Sequence, residues 1–201
     1  MSDQRQLVLA TSNTGKLEEI RTLLSGLDLE ILPQSGFGVP DVEESGLSFV
    51  ENAIIKARNA AMYTGLSAIA DDSGIVVKAL GGRPGIYSAR YAGPGATDEE
   101  NLQKLIEEIR PLEVYQRSAS FVCVMVFLAH RDDPTPVIAQ GIWDGMLVTE
   151  PRGENGFGYD PIFFVQSHNC TSAELPPEVK NRLSHRGKAL GKLLRKLEII
   201  Y

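Results

Sequence analysis

Two pairs of adjacent carboxylates are the residues of this chain best suited to holding a metal ion. Glu43 and Glu44 lie in an acidic segment, and Asp71 and Asp72 follow a short apolar run. Mg²⁺ takes oxygen ligands, usually one or two carboxylates together with water and substrate phosphate. The second pair begins a D-D-S-G sequence, and these residue types also favour an ordinary β-turn. The residues alone therefore leave a metal site and a plain turn open.

A polar segment between a strand-like and a helix-like stretch is a candidate phosphate site. Its residues are Thr11, Ser12, Asn13, Thr14, Gly15 and Lys16. The first N–H groups of a helix and its positive dipole end attract phosphate, and a lysine adds a point charge. The spacing is not that of a Walker A loop. A simple helix cap followed by a solvated lysine would explain the same residues.

Two later segments combine polar, aromatic and basic residues. The loop from Gly153 to Asp160 holds three glycines and two aromatic residues, and an aromatic ring can stack on a nucleobase. A long hairpin-type loop is the alternative. His185 and Arg186 can donate hydrogen bonds to a carbonyl or a phosphate. They can equally lie in solvent beside a helix cap at Ser184.

Alternating strand-like and helix-like segments must position these residues. The apolar runs predict strands at Leu7–Ala10, Leu29–Leu32, Leu66–Ala70, Ile75–Val77, Ala119–Ala129, Val137–Val148 and Ile162–Val165. Helical spacing and capping signals predict helices over Lys16–Leu24, Ser48–Gly65 and Thr97–Ile109, and one starting at Ala189. We expect Asp71–Gly74 to form a tight turn between two strands. The pattern as a whole indicates a mixed α/β protein.

The helix expected from Ser48 carries a polar stripe. Asn52, Lys56 and Asn59 follow one another at i, i+4 and i+7, which places them near one face of the helix. Such a face points either into a cleft or, as is more common, into solvent.

Composition excludes several classes of protein. The 201 residues fit one domain or two small lobes, and no run of 18 apolar residues exists to span a membrane. A net charge of −6 argues against a general nucleic-acid binder, whose surface is usually basic. The polar N-terminus lacks a signal-peptide pattern, and two cysteines form no disulfide framework. We therefore expect a cytoplasmic protein that acts on small molecules.

Taken together, six segments in order resemble the inosine/xanthosine triphosphate pyrophosphatase family, which hydrolyses non-standard purine nucleotides. They are T-x-N-x-x-K (11–16), EESGLSFVENAIIK (43–56), ADDSG (70–74), GGRPGIYSARY (81–91), GFGYDPIFF (156–164) and SHRGKA (184–189). Each is weak alone, but jointly they are highly specific, and the resemblance runs from Leu7 to about Leu190. One departure is Cys170, where similar proteins often carry lysine.

The resemblance implies the following fold and activity. A single domain, residues 1–201, would form two lobes around a long twisted mixed sheet flanked by helices, with the active-site cleft between the lobes. The substrate would be a small-molecule purine nucleoside triphosphate (ITP, dITP or XTP), and neither nucleic acid nor membrane would be a partner. Mg²⁺-dependent cleavage between the α and β phosphates would release a monophosphate and pyrophosphate. Similar proteins are usually homodimers.

The resemblance also implies roles for single residues. Glu43 and Asp72 would hold Mg²⁺, and Asp72 would accept the proton of the attacking water. Thr11 through Lys16, with Lys56, would hold the triphosphate. The residues that would contact the nucleotide, largely at its base end, are Ser73, Phe157, Gly158, Tyr159, Asp160, Lys180, His185 and Arg186.

Two other functions remain open on the sequence. A related pyrophosphatase for modified pyrimidine triphosphates would share the fold, although His185-Arg186 and the GFGYD segment argue against it. A nucleotide-binding sensor without catalysis would keep the Lys16 segment but would not need Glu43 and Asp72.

Overall fold

The computed structural model describes residues 5–11, 13–24 and 29–200, which form strands and helices in alternation. The strands are β1 (Arg5–Ala10), β2 (Leu29–Pro33), β3 (Ser67–Val77), β4 (Ser118–Leu128), β5 (Val137–Leu147), β6 (Phe163–Val165) and β7 (Cys170–Thr171). The α-helices are α1 (Thr14–Leu24), α2 (Phe49–Thr64), α3 (Asp98–Ile109), α4 (Pro177–Leu183) and α5 (His185–Ile200). None of these helices combines the length and apolar composition that a membrane crossing requires.

The strands form one mixed sheet in the order β2-β1-β3-β4-β5-β6-β7. β1 runs parallel to both β2 and β3, whereas β6 is antiparallel to β5 and β7. The mixed α/β class predicted from the alternating segments is therefore confirmed.

The chain divides into two compact units. The first comprises Met1–Asp72, Cys123–Gly141 and Arg186–Tyr201, and the second comprises Ser73–Val122 and Ile142–His185.

Within the first unit, helices cover both faces of the sheet. Alternate side chains of a strand point to opposite faces. Leu7 and Leu9 pack with α1 and α5 residues such as Ile20 and Leu190, whereas Val8 and Ala10 pack against the alanines of α2. The site residues of this unit lie in these two layers.

The second unit has its own core. Ile106 and Ile109 of α3 pack with Phe121, Trp143 and Phe163. Thr97 caps α3 through a capping box with Glu100, as the sequence predicts.

The tight turn expected at Asp71–Gly74 is wrong, because β3 runs without a break from Ser67 to Val77. The two aspartates are buried within the strand and contact cations from neighbouring helices. Gly74 is needed there because a Cβ would lie 2.3 Å from the carbonyl oxygen of Gly85 and 2.4 Å from the Ser88 hydroxyl. The glycine is therefore required because β3 packs closely against residues 85–88, not because the chain turns at this point.

The C-terminal helix begins at His185, four residues before the predicted start. Ser184 ends α4, so His185 and Arg186 belong to the first turn of α5 rather than to a preceding loop. The pattern of leucines from Leu190 onward predicted only the packed part of the helix. The short elements α4 and β7 were not predicted, because they contain too few residues to show periodicity.

Candidate active site

The polar segment after β1 forms the N-terminus of α1. The Asn13 side chain accepts a hydrogen bond from the backbone N–H of Lys16 at 2.9 Å, and Thr11 Oγ1 accepts one from the N–H of Asn13 at 3.3 Å. Asn13 therefore caps the helix, which Thr14 and Gly15 begin. Ser12 lies outside the described residues.

Asp71 and Asp72 point to opposite faces of the sheet, because they are adjacent in β3. Asp71 shares the face of Ile69, which packs with α1 and α5, and Asp72 shares the face of Ala70, which packs with α2. The two adjacent carboxylates therefore have different partners.

Asp71 is fully buried and belongs to a charge cluster with Lys16, Arg186 and Glu19. Its Oδ2 lies 3.1 Å from Lys16 Nζ and 3.9 Å from Arg186 Nε, and Arg186 also pairs with Glu19 of α1. Burial by itself raises the pKa of Asp71, but the charges of Lys16, Arg186 and Lys56 outweigh it and hold the pKa well below its ordinary value. Asp71 therefore stays ionised and balances the cations around it.

Asp72 lies beside a lysine and an asparagine of α2. Lys56 Nζ is 3.0 Å from Asp72 Oδ1 and 2.7 Å from Glu44 Oε1, and the Asn52 amide donates to Asp72 Oδ2 at 3.3 Å. Burial raises the pKa of Asp72 above its ordinary value despite the attraction of Lys56 and Lys16. The carboxyl is thus held in place and is more basic than a free aspartate. The polar stripe of α2 points toward the acidic residues at Asn52 and Lys56, while Asn59 donates to the Pro40 carbonyl.

The acidic loop, residues 41–46, places Glu44 rather than Glu43 beside Lys56 and Asp72. Glu44 is half-buried and contacts Lys56, whereas the Glu43 side chain is exposed. Among the described residues, no three His, Cys, Asp or Glu side chains are grouped closely enough to form a complete metal cage. Two carboxylates around one ammonium group fit Mg²⁺, which usually takes only one or two protein carboxylates and completes its shell with water and phosphate.

The second unit contains a buried ion pair that holds the glycine-rich loop. Lys180 Nζ lies 2.8 Å from Asp160 Oδ2, and both side chains are at most 7% exposed. Asp160 also accepts hydrogen bonds from the Ser172 hydroxyl at 2.8 Å and from the N–H of Phe157 at 2.9 Å. The Lys180 ammonium lies 5.2 Å from the centre of the Phe157 ring. Three of the predicted nucleotide contacts are therefore brought together.

Tyr159 and Gly156 hold the same loop through a buried hydrogen bond and a close backbone contact, respectively. The Tyr159 hydroxyl donates to the Ser88 carbonyl oxygen at 2.8 Å in a buried position. A Cβ on Gly156 would lie 2.2 Å from Asp160 Oδ2, so the backbone of Gly156 must approach this carboxylate directly. Gly158 has a left-handed backbone with φ of 60°, which only glycine adopts easily.

His185 stacks within the aromatic core of the second unit. Its ring lies 4.8 Å from the ring of Phe121, with an angle of 10° between the planes. Ser73, another predicted contact, is half-buried in β3 directly after Asp72. Arg186 belongs to the first unit, where it pairs with Glu19 and Asp71.

Several supporting residues of the site lie outside the six sequence motifs. Glu19 follows Lys16 by three residues on α1, so helical spacing was an available signal. Phe121 and Ser172 gave none, because their partners are 64 and 12 residues away in the sequence.

Comparison with known proteins identifies the family of this chain. Residues 7–196 match the Ham1 family. The chain is similar to proteins named dITP/XTP pyrophosphatase from Thioalkalivibrio sulfidiphilus (60% identity, 96% of this chain and 98% of the relative) and Escherichia coli K12 (55%, 94% and 96%). Among solved structures it is similar to a HAM1 protein from Coxiella burnetii (TM-score 0.90, 52% identity, 96% of this chain and 98% of that chain). It is also similar to the Staphylococcus aureus Ham1 protein (TM-score 0.86, 39% identity, 98% and 100%). The resemblance carried by the six sequence motifs is confirmed, and the chain belongs to the Ham1 family.

Proposed function

We propose that this protein hydrolyses non-standard purine nucleoside triphosphates (ITP, dITP and XTP) to the monophosphate and pyrophosphate. This activity removes such nucleotides from the pool used to make DNA and RNA. The observation that carries the proposal is the Asp72 carboxylate, held by Lys56 and Asn52 beside Glu44. The names of relatives that are 55–60% identical over nearly the whole chain support the substrate class.

The residues of the first unit suit phosphoanhydride hydrolysis, which needs charge neutralisation, alignment and an activated water. The α1 N-terminus and Lys16 bind the triphosphate, and Lys56 offsets further negative charge. Asp72 accepts the proton of the attacking water, and its contacts with Lys56 and Asn52 fix its position. Asp72 and a carboxylate of the acidic loop would supply oxygen ligands to Mg²⁺, and the bound ion would supply Lewis-acid polarisation of the phosphate oxygens.

Recognition of the base follows from hydrogen-bond chemistry. Inosine and xanthosine carry a carbonyl at purine position 6, where adenine carries an amino group. A donor such as the Arg186 guanidinium donates a hydrogen bond to the carbonyl oxygen, whereas an amino group at the same position offers it no acceptor. One unpaired buried polar group costs about 1–3 kcal/mol, whereas rejecting ATP by about a thousandfold needs about 4 kcal/mol. At least two contacts to the base must therefore contribute.

The reaction products of ITP, ATP and GTP test this proposal directly. With Mg²⁺ present, we expect pyrophosphate rather than orthophosphate from ITP, and turnover of ATP that is slower by about a thousandfold. A modified pyrimidine triphosphate serves as the control for base class. Orthophosphate from ITP, or equal rates on all nucleotides, would contradict the cleavage position or the base selection. Tight ITP binding without any hydrolysis would instead indicate a sensor.

Mg²⁺ dependence is a further part of the proposal, and the acidic loop offers a matched pair of variants. Glu44→Gln should raise the Mg²⁺ concentration needed for half-maximal activity by about tenfold, because Glu44 and Asp72 both contact the Lys56 ammonium group and so lie close together. Glu43→Gln, which changes an exposed neighbour, should raise it less. Titration of activity with Mg²⁺ measures both. The reverse order would support Glu43 as the metal ligand, which is the role that the sequence resemblance implies.

We also propose a cytoplasmic homodimer. The resemblance to the family supports the dimer, and sedimentation at the mass of a single chain would contradict it.

Free thiols at Cys123 and Cys170 fit a reducing compartment, where the nucleotide pool is used. Cell fractionation, followed by detection of the protein in each fraction with an antibody, tests the location.

A further inference from the structure

We infer that Asp98, at the first position of α3, is a positioning residue for the nucleotide-binding loop Gly156–Asp160. The inference rests on the proposed function, in which this loop contacts the nucleotide. Asp98 Oδ2 accepts a hydrogen bond from the backbone N–H of Gly158 at 3.0 Å, across 60 residues of sequence. None of the six sequence motifs contains Asp98.

The residues on either side of Gly158, Phe157 and Tyr159, each make a hydrogen bond that holds the loop. The N–H of Phe157 donates to Asp160, and the Tyr159 hydroxyl donates to Ser88. These two contacts are wholly or partly buried, whereas the bond from Gly158 to Asp98 is exposed. Asp98 therefore supplies the outer attachment of the loop, and replacing it leaves the buried contacts in place.

Gly158 is the position where such an attachment matters most. Its left-handed backbone has no side chain to pack, so its orientation depends on what its N–H and carbonyl contact. Without the Asp98 carboxylate, the free loop samples more conformations, and the nucleotide must order it on binding.

Asp98 has a second role, and the two roles predict different results. With Glu99 and Glu100 it places negative charge in the first turn of α3, where the helix dipole favours it. Asp98→Ala and Asp98→Asn remove this charge equally, so both should lower the melting temperature by a similar small amount. Only asparagine retains a side-chain oxygen that can accept the Gly158 hydrogen bond.

Steady-state hydrolysis of ITP tests the inference. Asp98→Ala should raise KM by about fivefold and leave kcat within about twofold, because a loop that must be ordered weakens ground-state and transition-state binding alike. Asp98→Asn should return KM to within about twofold of the original value. Glu99→Ala is the matched control, since it removes a carboxylate that contacts Gln103 instead of the loop.

Amide hydrogen exchange at Gly158 gives a readout that does not depend on turnover. Exchange should be faster in Asp98→Ala than in the original protein, and unchanged in Asp98→Asn and Glu99→Ala. Equal KM and exchange in the alanine and asparagine variants, or an alanine variant identical to the original protein, would overturn the inference. Failure of the original protein to cleave ITP would contradict the proposed function instead, and the exchange result would still decide the role of Asp98.

Discussion

Asp72→Asn is expected to lower pyrophosphate release from ITP by a factor of about 10³ while the nucleotide still binds. The amide has the same shape as the carboxyl group, and its one oxygen can still accept the hydrogen bond from Lys56 or the one from Asn52, but it cannot take a proton from water. The Lys16 end of α1, which binds phosphate in the proposed function, is unchanged. Pyrophosphate release measures the first effect, and calorimetric titration with ITP measures the second.

The same substitution should hardly change stability. Burial raises the pKa of Asp72, so the ionised group is held in the folded protein at a cost in free energy that asparagine does not carry. We expect a melting temperature within about 2 °C of the original. Asp132→Asn, at a 76% exposed carboxylate, is the control for loss of one negative charge. Turnover at the original rate in Asp72→Asn would show that another group accepts the proton.

Asp71→Asn, unlike Asp72→Asn, should destabilise the fold, by about 3 kcal/mol. The substitution removes the carboxylate that balances Lys16 and Arg186, and Arg186 is only 3% exposed, so water cannot replace the lost partner. For a chain of this size the melting temperature should fall by about 6–12 °C. Thermal and urea unfolding measure the loss, and Asp72→Asn is the matched control at the adjacent position. Equal melting temperatures for the two variants would contradict the difference in role.

The effect of Asp71 depends on pH in a defined direction. Its folded pKa lies below the ordinary value of 3.8, so the ionised form stabilises the fold at neutral pH. This stabilisation is lost as the pH falls below about 4, where the unfolded chain binds a proton first. The stability difference between the original protein and Asp71→Asn should therefore narrow as the pH falls below 4.

Local signals in the sequence predicted most helices and strands. Ser48 and Gly65 bound α2 as cap and stop, and Thr97 caps α3, because these signals act within a few residues. Short elements with no periodicity, such as α4, escaped prediction. The tight turn at Asp71–Gly74 was predicted wrongly because its residue types favour turns, while the contacts that keep it in a strand come from other parts of the chain.

The order and composition of the motifs determined the family and identified the carboxylates, lysines and aromatic loop of the candidate site. Only the tertiary structure decided how these groups pair. Strand pleating sends Asp71 toward α1 and α5 and Asp72 toward α2, so two identical neighbours acquire opposite pKa shifts. The contact between Asp98 and Gly158 likewise joins residues 60 positions apart. Such pairs are determined by how helices and strands pack. Residue type and local spacing do not predict that packing, because the partners are distant in the sequence.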